Sequence, residues 1–291
     1  MTFINRKINV KFEYGTGPKG MDEPRVVELT GHRILCNAVT AGGAGMGQLN
    51  LRIYGLTPQL MAELSTVGRL PMAYARNVIT VYAGDDKSGI TMIYQGSITA
   101  AYADMIAAPE IAFTVTAMVG FFQAVLSIPD SCYPGEADAA VIMKNLADKM
   151  GMKFEDNGVS VILRDSVFSG SARQQAAMCA KNANIDWVID KGVLSIWPKN
   201  AYRGKDTEIP VISPLTGLVG YPTYTATGII CTILYNPAIT FGQLVEIQSD
   251  IIQANGKWRV ILLTHDLAAE LPNGPWFSQV QLAKPESLHV A

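Results

Sequence analysis

The chain has 291 residues, of which 49% are hydrophobic and 16% charged, and its net charge is -2. This length and apolar content allow two or three domains with cores of their own. No cluster of Lys and Arg is present to neutralise phosphates, so we expect no sequence-specific binding of nucleic acid. The N-terminal residues alternate apolar with polar and lack an apolar signal core, which predicts synthesis in the cytoplasm without export.

Residues 1–126 have the pattern of a first β domain. Alternating or β-branched segments predict strands at residues 3–13, 25–29, 34–39, 48–54, 77–84, 90–104 and 112–119. One short helix is predicted to begin at Pro58, with Thr57 as its N-cap. Many strands joined by Gly-rich or polar turns favour an antiparallel barrel or sandwich.

The glycine-rich stretch at residues 42–47 is similar to a phosphate-binding loop only in composition. A dinucleotide loop has to open a helix, so that the N–H groups at the helix start face the pyrophosphate. Here residues 48–54 alternate as a strand, and the glycines do not have the GxGxxG spacing. We therefore predict a flexible loop.

The acidic turn at residues 85–89 could be compared with a calcium loop. It has too few spaced carboxylates and no terminal Glu at the required position. The pattern instead predicts the tip of a hairpin.

Residues 111–128 are uncharged and long enough to be tested as a membrane span. Thr and Gln dilute the stretch, its flanks carry no basic anchor, and its first residues alternate as a strand does. We expect no membrane span.

Residues 127–201 predict a small α+β domain. The first helix is expected from Glu136 to Met150, because its apolar residues share one face and Gly151 supplies a stop. A second helix is expected to begin at Ser171, where Gln174 completes a capping box.

Each of these helices is followed by residues that predict a β-hairpin. The first hairpin is expected to turn at Asn157-Gly158, which is the strongest short-range hairpin signal, and the second at Lys191-Gly192. The two helix–hairpin units therefore predict an internal repeat.

Residues 202–291 predict a second β domain with a C-terminal tail. Residues 209–245 contain no charged side chain, and Pro and Gly interrupt them too often for one helix. A sheet so poor in charge has to be covered by its own domain or by a partner chain.

A long hairpin should follow, turning at Asn255-Gly256, and Trp258 should be a core anchor that faces the same way as Val260 and Leu262. The overall class is thus α+β and mainly β, with two antiparallel barrel-like β domains flanking the small α+β domain.

The sequence offers weak candidates for catalysis. His265-Asp266 could form a triad with Ser249, Ser278 or Cys231, but none of these has the sharp turn and oxyanion hole that an activated nucleophile needs. The carboxylate pairs Asp104 with Glu110 and Glu136 with Asp138 fit exposed turns and helix ends better than a hydrolase site. We predict no catalytic residue and no enzyme activity.

No metal or cofactor site is predicted either. The cysteines, Cys36, Cys132, Cys179 and Cys231, are far apart, and with three scattered histidines they have no zinc spacing. Each cysteine has apolar neighbours, which favours buried, reduced thiols.

Several motifs resemble those of baseplate hub proteins of contractile-tailed bacteriophages, which are related to the hub part of type VI secretion spike proteins. The resemblance covers nearly the whole chain. It is carried by residues 51–66, 77–85, 184–198, 214–222, 236–237, 241–242, 256–260, 265–267 and 272–276.

The resemblance implies a homotrimer whose two barrel-like domains per subunit form a ring of pseudo-sixfold symmetry. Such a ring would join the sixfold tail tube to the threefold central spike around the DNA channel, in the baseplate of a virion made in the host cytoplasm. The partners implied are the tube or tube-initiator protein, the spike, the tape measure protein and other baseplate proteins. Related secretion hubs continue into the spike, so a separate spike protein is expected beyond Ala291, on the side where the chain ends.

Two other classes of function stay open at this point. One is a peptidoglycan hydrolase of the tail tip. The other is a carbohydrate-binding receptor module, for which Tyr221, Trp258 and Trp276 would have to be exposed.

Overall fold

The computed structural model describes residues 5–14, 25–68, 77–87, 89–199, 201–204 and 207–284. The expected C-terminal tail, residues 285–291, lies outside the described residues. The chain divides into two compact units. The first unit contains residues 1–39, 47–122 and 265–276, and the second contains residues 40–46, 123–264 and 277–291. The three-domain division at residues 126 and 201 stays a prediction.

The helices and strands agree largely with the sequence pattern. The strands are β1 (Arg6–Tyr14), β2 (Arg25–Leu29), β3 (Ile34–Thr40), β4 (Gln48–Tyr54), β5 (Val78–Asp85), β6 (Gly89–Asp104), β7 (Ala112–Met118), β8 (Ser131–Asp138), β9 (Lys153–Asp156), β10 (Ile162–Phe168), β11 (Ile185–Asp190), β12 (Val193–Pro198), β13 (Val211–Ile212), β14 (Leu218–Thr225), β15 (Gly228–Leu234), β16 (Leu244–Ile247), β17 (Gly256–Ala269) and β18 (Trp276–Ala283). The helices are α1 (Pro58–Leu64), α2 (Phe121–Val125), α3 (Ala139–Met150) and α4 (Ala172–Ala183), with a 3-10 turn at Ile252–Ala254.

The first unit is an antiparallel sheet with the strand order β3-β4-β7-β6-β5-β1-β2. Apolar side chains alternate along β1, β3 and β4 as the sequence predicts, and the inward positions are almost fully buried. The predicted hairpin tip joins β5 to β6, with Asp85 opposite Gly89. Helix α1 begins as predicted, since the Thr57 hydroxyl accepts a hydrogen bond from the Leu60 N–H.

The stretch tested as a membrane span, residues 111–128, contains a strand and a short helix. Residues 112–118 form β7 and residues 121–125 form the short helix α2. Among the residues that the structure describes, no helix is long and apolar enough to cross a membrane.

Within the second unit, α3 and α4 pack against each other and against two small sheets. One sheet pairs β8 with β10, and the other has the order β11-β12-β9. Helix α4 has the predicted capping box at Ser171 and Gln174. Helix α3 begins at Ala139 rather than at Glu136, because the Asp138 carboxylate caps the Ala140 N–H and residues 131–138 pair with β10.

The predicted hairpin at Asn157-Gly158 is wrong. Strand β9 pairs in parallel with β12, whereas β10 pairs with β8 in the other sheet. The Asp156 carboxylate accepts hydrogen bonds from the N–H groups of Gly158 and Val159, and Val159 is buried. These contacts direct the chain away from β9. The hairpin at Lys191-Gly192 is confirmed, so the repeated unit is strand–helix–strand (β8-α3-β9 and β10-α4-β11) and not helix–hairpin.

The rest of the second unit is β-structure built largely from the uncharged residues. Strand β15 lies between β14 and β18, while β16 pairs with β13 and with β17. The β16–β17 hairpin closes with Ile247 opposite Gly256, and residues 248–255 form a longer loop in place of a two-residue turn.

The mainly-β α+β class is confirmed, but within the described residues the sheets are not closed into barrels. Along β17 the predicted alternation holds for Trp258 and Val260 and then shifts, since Leu263 is buried in place of Leu262. Arg259, between the two inward residues, is buried as well. Both faces of β17 are therefore covered at this point, which removes the simple alternation.

Candidate assembly surface

The uncharged residues 209–245 form one buried and one exposed sheet face. On the buried face, Cys231 lies opposite Val280 and Ile229 opposite Leu282, and all four side chains are inaccessible to solvent. They belong to a core cluster of fourteen residues: Ile212, Leu218, Ile229, Cys231, Ile233, Ile239, Val245, Ile247, Ala254, Trp258, Val260, Leu263, Val280 and Leu282. The chain thus covers one face of the charge-free sheet by itself.

The other face of β14, β15 and β18 remains exposed. Leu234 lies opposite Phe277 and Val219 opposite Thr232, and the apolar members of these pairs are 36–49% exposed. The intervening outward positions on these strands carry no charge either: Thr223, Ile230, Thr232, Gln279 and Gln281. We name this surface the uncharged face.

Aromatic and aliphatic side chains extend the uncharged face at its β14 side. Tyr221 is 65% exposed, and Leu215 in the turn before β14 is 98% exposed. With a side-chain area of about 200 Å² for each aromatic residue, Tyr221 and Phe277 alone expose roughly 200 Å². An apolar patch of a few hundred Å² on a soluble protein marks an interaction site.

The turn that presents Leu215 is held rigidly. The Thr216 hydroxyl donates to the Val211 carbonyl at 2.7 Å and accepts from the Ser213 N–H at 2.8 Å. The Leu218 N–H in turn donates to the Ser213 carbonyl at 2.8 Å. A preorganised apolar side chain loses little entropy when a partner covers it.

Strand β14 is the last strand of its sheet, yet its edge is poorly suited to pairing with another strand. Pro222 lacks an N–H donor, and the register with β15 shifts between Val219 and Thr223. Proline and bulges at an edge discourage strand addition. Contact at this surface would therefore be made by the uncharged face and not by main-chain pairing.

The residues considered for a catalytic triad are buried or are hydrogen-bonded within a loop. Cys231 is completely buried, and burial raises the pKa of its thiol to about 11. His265 is buried at 3% exposure, Ser278 is buried, and the Ser249 hydroxyl donates to the Ile251 carbonyl within the β16–β17 loop.

The two carboxylate pairs are likewise bound elsewhere. Asp104 and Glu110 form ion pairs with different arginines, Arg52 at 2.6 Å and Arg33 at 3.0 Å. Glu136 pairs with Arg164, and Asp138 caps α3.

The glycine-rich loop turns carbonyl oxygens, not N–H groups, toward a buried side chain. Arg173 of α4 donates to the carbonyls of Gly43, Ala44 and Gly45 at 2.7–3.4 Å, and its guanidinium lies 5.1 Å from the Trp187 ring. Burial lowers the pKa of Arg173. A loop that presents carbonyls around a cation cannot cradle a phosphate.

Three of the cysteines are buried as expected, whereas Cys132 on β8 is exposed. Its neighbour across the strand pair, Val167, is also exposed, because the outer side of the β8–β10 sheet is open to solvent in the described structure. Among the described residues, no three His, Cys, Asp or Glu side chains lie close enough to hold a metal ion.

The aromatic residues considered for carbohydrate binding are mostly inside the protein. Trp258 and Trp276 are 4% and 5% exposed, and Arg6 lies over the Trp276 ring. Only Tyr221 of the three is available at the surface. The core position predicted for Trp258 is confirmed, whereas the sequence analysis missed that Trp276 is buried as well.

Comparison with known proteins shows which family the chain belongs to. The family model described as baseplate hub gp41 matches residues 46–273. The chain belongs to the baseplate hub gp41 family. The resemblance to phage baseplate hubs is thereby confirmed, and the hub is a structural component of a phage tail baseplate.

Solved structures of low sequence identity share the fold of this hub. A 43 kDa tail protein of prophage MuSo2 from Shewanella oneidensis is 10% identical, with 98% of each chain covered and a TM-score of 0.64. A tail protein from Neisseria meningitidis MC58 is 8% identical over 96% of the hub and 97% of its own chain, also with a TM-score of 0.64. The E. coli c3393 protein, a type VI secretion component, is 9% identical over 87% of the hub and 73% of its own chain, with a TM-score of 0.57. No curated protein matches the hub in sequence.

Proposed function

We propose that this baseplate hub assembles as a homotrimeric adaptor in a contractile phage tail, joining the sixfold tube to the threefold central spike around the DNA channel. The observation that carries the proposal is the uncharged face, exposed on a chain that belongs to the baseplate hub family. The further partners are the tube or tube-initiator protein, the tape measure protein and other baseplate proteins. The hub is made in the host cytoplasm and has no enzymatic role.

The uncharged face supports self-association for a physical reason. Apolar and uncharged polar side chains can be buried against each other at small desolvation cost, whereas an unpaired charge at the same place would be costly. A stable contact needs about 800 Å² from each partner. Tyr221 and Phe277 supply about a quarter of that area, and the neighbouring apolar, Thr and Gln side chains extend it.

The oligomeric state of the purified hub tests the proposal. We expect native mass spectrometry and light scattering at micromolar concentration to give three copies per particle. A charge in the uncharged face, Leu234→Lys, should shift the particle toward the monomer. Val167→Lys is the matched control, because it places the same charge on another exposed strand residue that is 63% exposed.

A monomer at all concentrations up to the high micromolar range would contradict the trimer. A trimer that tolerates Leu234→Lys as well as Val167→Lys would place the subunit contact elsewhere. Clearing of labelled cell wall by the purified hub would favour a tail-tip hydrolase instead, and binding to a glycan array would favour a receptor module.

A further inference from the structure

The connector residues 201–204 are held between two parts of the second unit. The α+β part comprises residues 127–198, and the C-terminal β part comprises residues 207–264 and 277–284. The sequence suggests only a polar connector between Pro198 and Lys205. In the structure, Arg203 N–H donates to the Gly242 carbonyl at 2.9 Å, and Arg203 forms a β-bridge with Gln243.

The side chain of Arg203 reaches in the opposite direction, into the α+β part. Its Nη2 donates to Glu155 Oε2 at 2.7 Å, and its Nε lies 3.2 Å from both carboxylate oxygens. Its Nη1 lies 3.6 Å from Asp190 Oδ2. The Arg203 side chain is only 14% exposed, so this pair is far better shielded from solvent than an ordinary surface ion pair.

The α+β part is built to receive this arginine. The Ser195 hydroxyl donates to Glu155 at 2.7 Å and the Asn157 amide donates to it at 3.0 Å, which orients the carboxylate. The Asn157 side-chain oxygen also accepts the Gly204 N–H at 2.9 Å. Burial by itself would raise the pKa of Glu155, but the hydrogen bonds from Arg203 and Ser195 outweigh it and lower the pKa to about 2.

A second arginine connects the same parts. Arg259 on β17 is 7% exposed, and its Nη2 lies 2.9 Å from Asp186 Oδ2 on β11. Its Nη1 donates to the backbone carbonyls of Ala201 at 3.0 Å and Lys199 at 3.4 Å. Arg259 therefore binds the connector and the α+β part together.

Close packing accompanies the ion pairs. The Phe241 ring lies 6.2 Å from the Trp197 ring, and a Cβ on Gly242 would come within 2.9 Å of two Trp197 ring atoms. Gly242 also has a positive φ of 83°. Only glycine fits here without displacing the indole.

We propose that Arg203 and Arg259 lock the α+β part and the C-terminal β part into one cooperative unit, in which neither part moves or unfolds without the other. Each arginine bridges both parts and has a carboxylate partner on a strand of the α+β part. Removing either arginine leaves a poorly solvated carboxylate behind, which weakens the junction specifically. In an adaptor, such a junction would pass displacement of one part directly to the other. The proposal does not depend on the number of subunits.

Hydrogen exchange of the full chain at increasing urea concentration tests the lock. In the wild-type protein, we expect peptides from β9, β11 and β12 to lose protection at the same urea concentration as peptides from β14, β15 and β16. In Arg203→Met, the two midpoints should separate by about 0.5 M urea or more. Arg164→Met is the matched control, because it breaks an arginine–glutamate pair of 2.6 Å whose side chains are 77% and 62% exposed. It should leave the midpoints coincident.

Either of two results would overturn the lock: separate midpoints already in the wild-type protein, or coincident midpoints in Arg203→Met. If Arg203→Met does not fold, Arg203→Lys is measured in its place, since lysine keeps the charge but loses the forked contact with Glu155. Coincident midpoints in that variant overturn the proposal equally. Light scattering of the same variants separates this result from the trimer, because the lock predicts an unchanged oligomeric state.

Discussion

The indole N–H of Trp258 donates a hydrogen bond of 2.8 Å to the backbone carbonyl of Ala254. Trp258 also lies opposite Val245 in the β16–β17 ladder, and its ring belongs to the core cluster beneath the uncharged face. One side chain thus fills the core and fixes the loop that precedes its own strand. Trp258 is thus the core anchor that the sequence predicts, and it also stabilises the loop through a hydrogen bond.

Two substitutions of Trp258 should therefore separate the contribution of its packing from that of its hydrogen bond. Trp258→Ala should cost about 3–5 kcal/mol in the free energy of unfolding, because it leaves a large cavity. Trp258→Phe should cost less, about 1–3 kcal/mol, since it keeps most of the ring but leaves the buried Ala254 carbonyl without its donor. Urea unfolding measures both values. A loss below about 1 kcal/mol for Trp258→Ala would contradict the anchor role.

Glu155 should make stability depend on pH at the acidic end. Its pKa is lowered in the folded protein from the usual 4.5 to about 2. A carboxylate whose pKa is lower in the folded than in the unfolded state stabilises the folded protein while it is ionised. This stabilisation is complete above about pH 4.5 and is lost as the pH falls toward 2. The difference in unfolding midpoint between the wild-type protein and Glu155→Gln should therefore shrink over that range. Glu136→Gln, in an exposed pair, should show a much weaker trend, and equal trends would contradict the role of Arg203.

The cysteines should differ sharply in reactivity. Burial raises the pKa of Cys179 to about 12 and that of Cys231 to about 11, and it raises the pKa of Cys36 as well. A buried thiol with a raised pKa supplies almost no thiolate at pH 8. A thiol reagent should thus modify Cys132 quickly in the native protein and all four cysteines in denaturant. Cys132→Ser should remove the fast reaction, and a fast reaction that persists would show that a buried thiol is accessible.

Helix α4 should lose stability when its cap is removed. The Ser171 hydroxyl accepts the Gln174 N–H, and the Gln174 side chain accepts the Ser171 N–H. Ser171→Ala should cost about 1 kcal/mol, because the Gln174 N–H at the helix start loses its acceptor. Ser166→Ala, on the exposed strand β10, is the control and should change the free energy of unfolding by less than about 0.5 kcal/mol. Equal effects of the two changes would mean that the capping box contributes little.

The elements that the sequence predicted well depend on contacts within a few residues. Thr57 and Ser171 cap their helices by bonding N–H groups three positions ahead. Lys191-Gly192 turns directly between strands that pair with each other. In each case the partners are neighbours along the chain, so their geometry is already constrained before the tertiary structure forms.

Asn157-Gly158 shows where such local evidence fails. The dipeptide has the composition of a tight turn, but Asn157 binds Glu155, the Ile196 carbonyl and Gly204. The strand before it finds its partner about 40 residues later, in β12. A dipeptide such as Asn-Gly predicts only that the chain can turn. Competition from the distant strand β12 decided which strand β9 paired with.

The sequence alone determined that this protein is mainly β, that residues 209–245 form a charge-free stretch, and that the chain belongs to the baseplate hubs. Only the tertiary structure decided which of those residues are buried, because the pairing of Cys231 with Val280 and Leu234 with Phe277 assigns each side chain to a face. It also brought Arg203 to Glu155 across 48 positions and Arg173 to the glycine-rich loop across 128–130. A buried ion pair has no local signature, since the desolvation of each charge depends on the whole surrounding fold.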